Sequence, residues 1–441
     1  MSLRFLPQGH SRRERLVAQL HLRKTRRTTL LVLVAVLGGL AAASFARICD
    51  QAMALHQKLA HASPWLALLL LPAGFAFFTW MTGRFAPEAA GSGIPQVIAA
   101  AETRWTGRWG GQRVTLRTGA WKVLMATGML FCGASIGREG PTVQVVAGIM
   151  RTLTRGLRGG PGRRAIIIAG GAAGVAAAFN TPIAGVVFAV EELAKSFDRR
   201  AHTTAILVVV VSGFTAYAIQ GDYAYFGDLN SAVMLRSAWL AAPLIGLVTG
   251  LAGGLFSRAL GELIGPSRNP VSNWRRAHPI WFAAICGLIA AGAALMSGGL
   301  TYGAGYEEAK SLLGGSGEHS MLFSGSKFIA SLAAAACGAP GGIFAPSLAI
   351  GAGIGASFSK LWSGFAGRDS VVMGMTGYLS GVVQAPLTSA VILMEMTRDP
   401  ALVGPLMLTA LTARWVSGWV MPQPIYHLLA QNWRLNPAPD R

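Results

Sequence analysis

Glu139 is written where a carboxylate can do chemistry. It lies in CGASIGREGP (132–141), between Arg138 and Gly140 and two residues before Pro141. Proline suits the first turn of a helix, where its missing N–H would have had no partner. Glycine lets main-chain amides approach a ligand closely, and the helix end adds partial positive charge. Together these features form a seat for a negative group. Ionised, Glu139 can take that seat itself. Protonated, it has no reason to stay, and an anion can replace it. Proton binding and anion binding would then compete at one position. A structural ion pair with Arg138 is the alternative reading of the same residues.

The motif has company. GSGIP (91–95), GGIFAP (341–346), NTP (180–182) and QAP (384–386) also place a proline after small residues, just ahead of an apolar run. Inside a membrane the amides of such helix starts need an acceptor, and water is scarce. A fixed Lys or Arg at their common centre would hold an anion too strongly for passage, whereas partial charges and neutral donors suit it. Ser92 in GSGIP can offer a hydroxyl, or can bond its own helix. Glu191 and Glu192 follow Pro182 by nine and ten residues, about 14–15 Å along a helix or half a bilayer. They can collect protons at one face and pass them toward Glu139, or pair with Lys195 at the surface.

The elements carrying these residues are membrane helices. Of 441 residues, 52% are hydrophobic and 13% charged, with a mean hydropathy of +0.47; a soluble chain carries roughly twice that charged share. Residues 165–190, 277–306, 328–359 and 370–394 hold no Asp, Glu, Lys or Arg, and each is long enough to cross about 30 Å of hydrocarbon. The net charge of +20 is concentrated in HLRKTRR (21–27), RTLTRGLRGGPGRR (151–164) and Lys195, Arg199 and Arg200. Short basic loops mark a cytoplasmic side, which sets aside nucleic acid as a partner and puts the N-terminus in the cytoplasm. Residues 23–46 resemble a signal peptide, but more apolar segments follow, so a retained first span is expected.

The chain repeats itself. CGASIGREGP returns as CGAPGGIFAP (337–346); Lys122 and Lys327 each stand ten residues before the frame, and FNTPIAGVVFAVEE (179–192) matches VQAPLTSAVILMEM (383–396). A shift of 204–205 residues superimposes Lys, Cys-Gly-Ala, Pro, Pro and Glu in order. We divide the chain into a basic segment 1–29, a first half 30–220, a polar linker 221–233, a second half 234–431 and a short tail 432–441. Basic residues flank both ends of 165–194, whereas Arg368-Asp369 and Arg398-Asp399 flank its counterpart with balanced charge. Opposite orientation in the membrane gives that difference, and two half-length helices turning back at FNTP would return both basic ends to one side. The expected fold is an all-α polytopic membrane protein of two inverted-topology repeats, its broken, re-entrant helices meeting at the midplane; a parallel arrangement is the alternative.

Other chemistries find little support. The four cysteines (49, 132, 286, 337) are far apart and lack a CxxC, and the eight histidines form no HxxxH or HxxE pair. We expect no disulfide framework, metal or cofactor. Glu139 and Glu191 could serve as paired acids, but no nucleophile–base set accompanies them, so the chain reads as a non-enzyme.

GSGIP, GREGP, GGIFAP and QPIYHLL (423–429) together resemble the CLC family of chloride channels and proton–chloride antiporters, and the resemblance covers nearly the whole chain. It implies a homodimer of helical subunits with inverted halves, each subunit with its own anion pathway. Ser92 and Tyr426 would be side-chain ligands of chloride, joined by main-chain amides of Ile343 and Phe344. Gly93, Ile94, Gly137, Arg138 and Gly140 of the first two frames would line the same place. Glu139 would be the external gate, Glu192 the internal proton-transfer residue and Glu191 its neighbour on the proton pathway. Serine in GSGIP resembles the chloride-selective members. Only 15 residues follow Tyr426, so cytoplasmic regulatory domains are not expected. Partners would be chloride, protons and the lipid bilayer. The expected setting is a bacterial inner membrane, with both termini cytoplasmic. A secondary-active chloride/proton antiporter is the first reading, and a passive, voltage- or pH-gated chloride channel the second.

Overall fold

The computed structural model describes residues 12–102, 113–157, 161–194, 199–221, 225–227, 235–266, 269–315, 320–361 and 367–435. In chain order the first half holds α1 (Arg12–Ala62), α2 (Pro64–Phe85), α3 (Ile94–Glu102), α4 (Leu116–Phe131), α5 (Glu139–Leu153), α6 (Arg163–Phe179), α7 (Pro182–Phe188) and α8 (Arg199–Gln220). The second holds α9 (Leu235–Ile264), α10 (Pro270–Ala277), α11 (Pro279–Met296), α12 (Tyr306–Leu313), α13 (Ser320–Ala336), α14 (Phe344–Leu361), α15 (Gly367–Val383), α16 (Pro386–Thr397), α17 (Val403–Val420) and α18 (Ile425–Leu435). Extended backbone among the described residues amounts to two isolated bridges, Gly91 with Pro340 and Gly137 with Gly342.

Three of the four charge-free runs are not single crossings. Run 165–190 is α6 and α7, hinged at Asn180 in the left-handed region (φ 58°). Run 370–394 is α15 and α16, hinged at Gln384 (φ 61°). Run 328–359 breaks between α13 and α14, and only 277–306 contains one uninterrupted crossing, α11. Helix α7 folds back on α6, because a Cβ on Gly185 would lie 2.7 Å from Ala176 Cβ and 2.9 Å from the Ala172 carbonyl. Every residue of α6 from Ala165 to Phe179 is buried. Charge is missing there because protein surrounds the helix, which calls for apolar residues all round just as lipid does.

Among the described residues, five helical stretches are long and apolar enough to span: His21–Ala62, Pro64–Phe85, Thr203–Gln220, Ser237–Ile264 and Pro279–Met296. Each bears exposed apolar side chains, such as Leu33, Leu69, Phe214, Leu240 and Trp281. The expected boundary at residue 30 falls inside α1, so HLRKTRR belongs to the first spanning helix instead of preceding it. Lys195, residues 158–160 of the 151–164 basic loop and residues 436–441 of the tail lie outside the described residues. Arg199 and Arg200 open α8.

The halves act on each other reciprocally. Glu191 accepts from the amides of Leu387 (3.1 Å) and Thr388 (2.7 Å), and also from the Thr388 hydroxyl (2.7 Å), at the start of α16. Its repeat counterpart Glu395 accepts from the amides of Ile183 (3.1 Å) and Ala184 (2.6 Å) at the start of α7. Lys122 and Lys327, both fully buried, are equally matched. Lys122 donates to the Ala89 and Gly91 carbonyls (2.7 and 2.6 Å); Lys327 donates to those of Thr301 and Gly303 (3.0 and 2.8 Å). Gly137 and Gly342, which hold the same place in the two decapeptides, pair antiparallel. Each half thus does to the other what is done to it, and the two are inverted repeats.

Removing either interlocking carboxylate, in Glu191→Ala or Glu395→Ala, exposes a helix end with no replacement acceptor. Each substitution is expected to cost about 1–2 kcal/mol and to lower the midpoint of thermal unfolding in detergent at a fixed scan rate, whereas Glu262→Ala on the exposed face of α9 is expected to leave it unchanged.

Candidate anion site and its carboxylate

Three Gly-Pro frames converge by main-chain pairing. The Gly137 amide donates to the Gly342 carbonyl and the Gly342 amide returns the bond, both at 2.8 Å; Gly91 N–H reaches Ala339 O (3.2 Å) and Gly341 N–H reaches Gly91 O (3.1 Å). Gly91 (φ 62°) and Gly93 (φ 103°) take left-handed backbone that a side chain would strain, and Lys122 pins the carbonyls beside them. Helices α3, α5 and α14 therefore begin side by side, and their first turns, from Ile94, Glu139 and Phe344, are buried. The first amides of a helix have no partner within it, so three sets of donors face one interior point.

Glu139 belongs to the first turn of α5 itself and is only 1% exposed. Its Oε1 accepts a hydrogen bond from the Tyr306 phenol at 2.7 Å. Oε2 has no hydrogen-bond partner among the described residues; it lies against Gly137, where a Cβ would come within 2.2 Å of it and 3.2 Å of the Ala345 amide. Arg138 does not pair with it. That guanidinium turns to α1 and the linker, donating to the Ala46 carbonyl (2.7 Å), to Asp50 Oδ1 (2.5 Å) and to the Tyr225 hydroxyl. The ion-pair reading of Arg138 and Glu139 therefore gives way to a pair between Arg138 and Asp50, and the fixed positive charge is directed away from the helix starts.

Ser92 and Tyr426 supply neutral donors. Their hydroxyls lie beside one another, both buried and without a well-formed hydrogen bond among the described residues. Ser92 packs on the Gly140 backbone, where a Cβ would lie 2.3 Å from its Oγ. Tyr426, in the first turn of α18, stacks on Phe344 (5.9 Å between centroids), which also meets Phe179 (5.7 Å) and Phe188 (6.2 Å). A buried hydroxyl without a partner is costly, and two of them beside free helix amides suit an anion. Ser92, Gly93, Ile94, Gly137, Glu139, Gly140, Ile343, Phe344 and Tyr426 are thus brought together, with Arg138 adjacent but turned outward.

The second carboxylate pair divides. Glu191 and Glu192 lie in a π-helical turn, Ala189–Ala194, that continues α7. The wider turn sends Glu191 to the α16 N-terminus and leaves Glu192 inward, 3% exposed, with Oε1 3.5 Å from His427 Nε2. His427 follows Tyr426 in the first turn of α18, so Glu192 lies against the same turn that carries the Tyr426 hydroxyl.

The sequence reading passed over His427 and Tyr306. A signal for Tyr306 existed: GAG-Tyr (303–306) matches GSG-Ile (91–94) at a shift of 212 residues, and Gly303 (φ 64°) and Gly305 (φ 87°) repeat the backbone of Gly91 and Gly93. The extra residues relative to the 205-residue shift hid the match. His427 had no pattern to mark it.

Helix starts from two inverted halves, gathered around neutral donors inside an all-helical membrane protein, define an anion-handling scaffold. Residues 73–418 match the family model described as voltage gated chloride channel, and the chain belongs to that family, the CLC proteins. It is similar to the X-ray crystal structure of a slow cyanobacterial Cl-/H+ antiporter, at 26% identity and a TM-score of 0.79, over 93% of this chain and 98% of that one. The fold is shared with a eukaryotic CLC transporter (22% identity, TM-score 0.74, 93% of this chain and 74% of that one). It is shared also with a CLC-type fluoride/proton antiporter (21%, TM-score 0.75, 92% and 98%).

The close approach at Gly140 can be tested by adding one methyl. Gly140→Ala is expected to push α3 from α5 and cost about 1–3 kcal/mol, seen as an earlier thermal unfolding transition in detergent. Gly292→Ala in α11, where a Cβ would meet nothing within 4 Å, is expected to unfold with the parent protein.

Proposed function

We propose that the chain is a secondary-active chloride/proton antiporter. One observation carries this reading: the buried carboxylate of Glu139 adjoins Gly140, on which the Ser92 hydroxyl packs, and the Ser92 and Tyr426 hydroxyls lie side by side without a well-formed hydrogen bond. A carboxylate and a chloride ion then compete for one set of amides, and a proton decides the competition by neutralising the carboxylate. Glu192 is the inner proton-transfer group, reaching the cytoplasmic side through the π turn. Glu191, with both oxygens bonded to α16, holds that turn in place, a different part in the proton route from the carrier role expected of it. The similarity to a protein described as a Cl-/H+ antiporter supports exchange over a passive channel, as does a buried second acid. We further propose a homodimer with one pathway per subunit, set in a bacterial plasma membrane with both termini cytoplasmic.

In liposomes loaded with a chloride gradient, protons are expected to be driven uphill; chloride flux with no linked proton movement would make the protein a channel. Glu139→Gln is expected to keep anion flux and lose proton movement and pH dependence. Isothermal titration of the purified protein is expected to show chloride binding weakened roughly tenfold by Ser92→Ala or Tyr426→Phe, each of which removes one net hydrogen bond. Unchanged affinity in both would remove the two hydroxyls from the site.

A further inference from the structure

We propose that Tyr306 is a latch on Glu139: its phenol holds the carboxylate in the anion seat and so sets the rate and the pH range in which the pathway opens. The proposal rests on the reading of Glu139 as the gate. The phenol donates at 2.7 Å to Oε1, and a hydrogen bond to an ionised carboxylate is about twice as strong as one between neutral groups. The bond therefore favours the seated, charged state of Glu139 over the protonated state that leaves.

The latch is itself held. Tyr306 opens α12 directly after the Gly303–Gly305 loop, which Lys327 pins through the carbonyls of Thr301 and Gly303. A Cβ on Gly305 would come within 2.5 Å of Ala349 Cβ and 2.9 Å of Lys327 Cε, so the loop has no room to slide. From the other side the linker between the halves covers the ring. Tyr225 packs on it at 4.8 Å and Phe226 at 6.2 Å between centroids. Phe226 N–H is tied to the Met396 carbonyl (3.1 Å), and the Tyr225 hydroxyl accepts from Arg138. The titratable and charged groups around Glu139 are Tyr306 on α12, Arg138 on α5, Asp50 and Cys49 on α1, Tyr225 of the linker and Tyr426 on α18. Arg138 is committed to Asp50, and Tyr306 is the side chain that reaches the carboxylate. Its position in the first half belongs to Ile94, which has no hydroxyl, so the bond exists on one side of the pseudo-two-fold only.

The test uses chloride efflux from liposomes across the acid-to-neutral range, with four proteins: parent, Tyr306→Phe, Glu139→Gln and the double variant. Tyr306→Phe keeps the ring and loses the bond. At neutral pH it is expected to raise flux roughly tenfold, a change of about 1.4 kcal/mol. Losing a bond to the ionised form makes Glu139 easier to protonate, so the pH midpoint of flux is expected to move about one unit upward. Proton coupling is expected to persist. In the Glu139→Gln background the same substitution is expected to change nothing. An unmoved midpoint, a slower flux, or equal acceleration of Glu139→Gln overturns the latch. Tyr225→Phe, which removes the Arg138–Tyr225 bond but leaves Arg138 on Asp50 and the phenol–carboxylate bond in place, is expected to keep the parent midpoint; a shift as large as that of Tyr306→Phe assigns the effect to the surroundings of the ring and also overturns the latch. If Glu139→Gln itself retains pH dependence, the gate reading fails, an outcome distinct from failure of the latch alone.

Discussion

The molecule is organised by a single electrostatic requirement: a helix that begins inside an apolar interior presents amides that need a negative partner. Among the described residues, helix starts are answered in two manners. The starts of α7 and α16 are closed by carboxylates from the opposite half, Glu395 and Glu191. A side chain covalently held at a helix start is permanent, and these two contacts lock the halves together. The starts of α3, α5 and α14 are pulled into one place by the pairing of Gly137 with Gly342 and of Gly91 with Ala339 and Gly341. No carboxylate from the other half seals them. Glu139 lies in the first turn of α5 among these starts, and its Oε1 accepts from the Tyr306 phenol.

Symmetry builds the scaffold, and departures from symmetry give it a use. The buried lysines, the left-handed glycines before α3 and α12, and the hinges at Asn180 and Gln384 recur in both halves. Among the positions that differ, three lie in the frames themselves. Glu139 stands where the second decapeptide has Phe344, Arg138 where it has Ile343, and Ser92 where the second loop has Ala304. Two identical halves would place two carboxylates at the axis, where like charges repel. With one replaced by phenylalanine, a single acid remains, and the ring forms an apolar wall with Tyr426, Phe179 and Phe188.

The paired acids after α7 also part company: in the π-helical turn Ala189–Ala194, Glu191 lies on the α16 amides and Glu192 is buried against His427. Glu192 thereby meets the residue that follows Tyr426.

The sequence alone determined the repeat, the broken helices and the Gly-Pro helix starts, because each depends on local chemistry: proline at a helix start, glycine where amides come close, and missing charge where water is absent. Glu139, Ser92 and Gly140 stood out as candidates for that reason, whereas Phe344 was marked only by the family resemblance. Charge-free length could not separate a helix wrapped in protein from one wrapped in lipid, since both environments exclude charge, so 370–394 gave no sign that protein surrounds α15, whereas the basic flanks of 165–194 already pointed to a turn at FNTP. Where a polar side chain points was likewise undetermined. Arg138 adjoins Glu139 in the chain, yet a helix start sends successive side chains apart, and it meets Asp50 from α1. The partners of Glu139 and Glu192, Tyr306 and His427, stand 167 and 235 residues away along the chain. Only the tertiary fold decided those contacts, because a hydrogen bond depends on distance in space and carries no trace in sequence spacing.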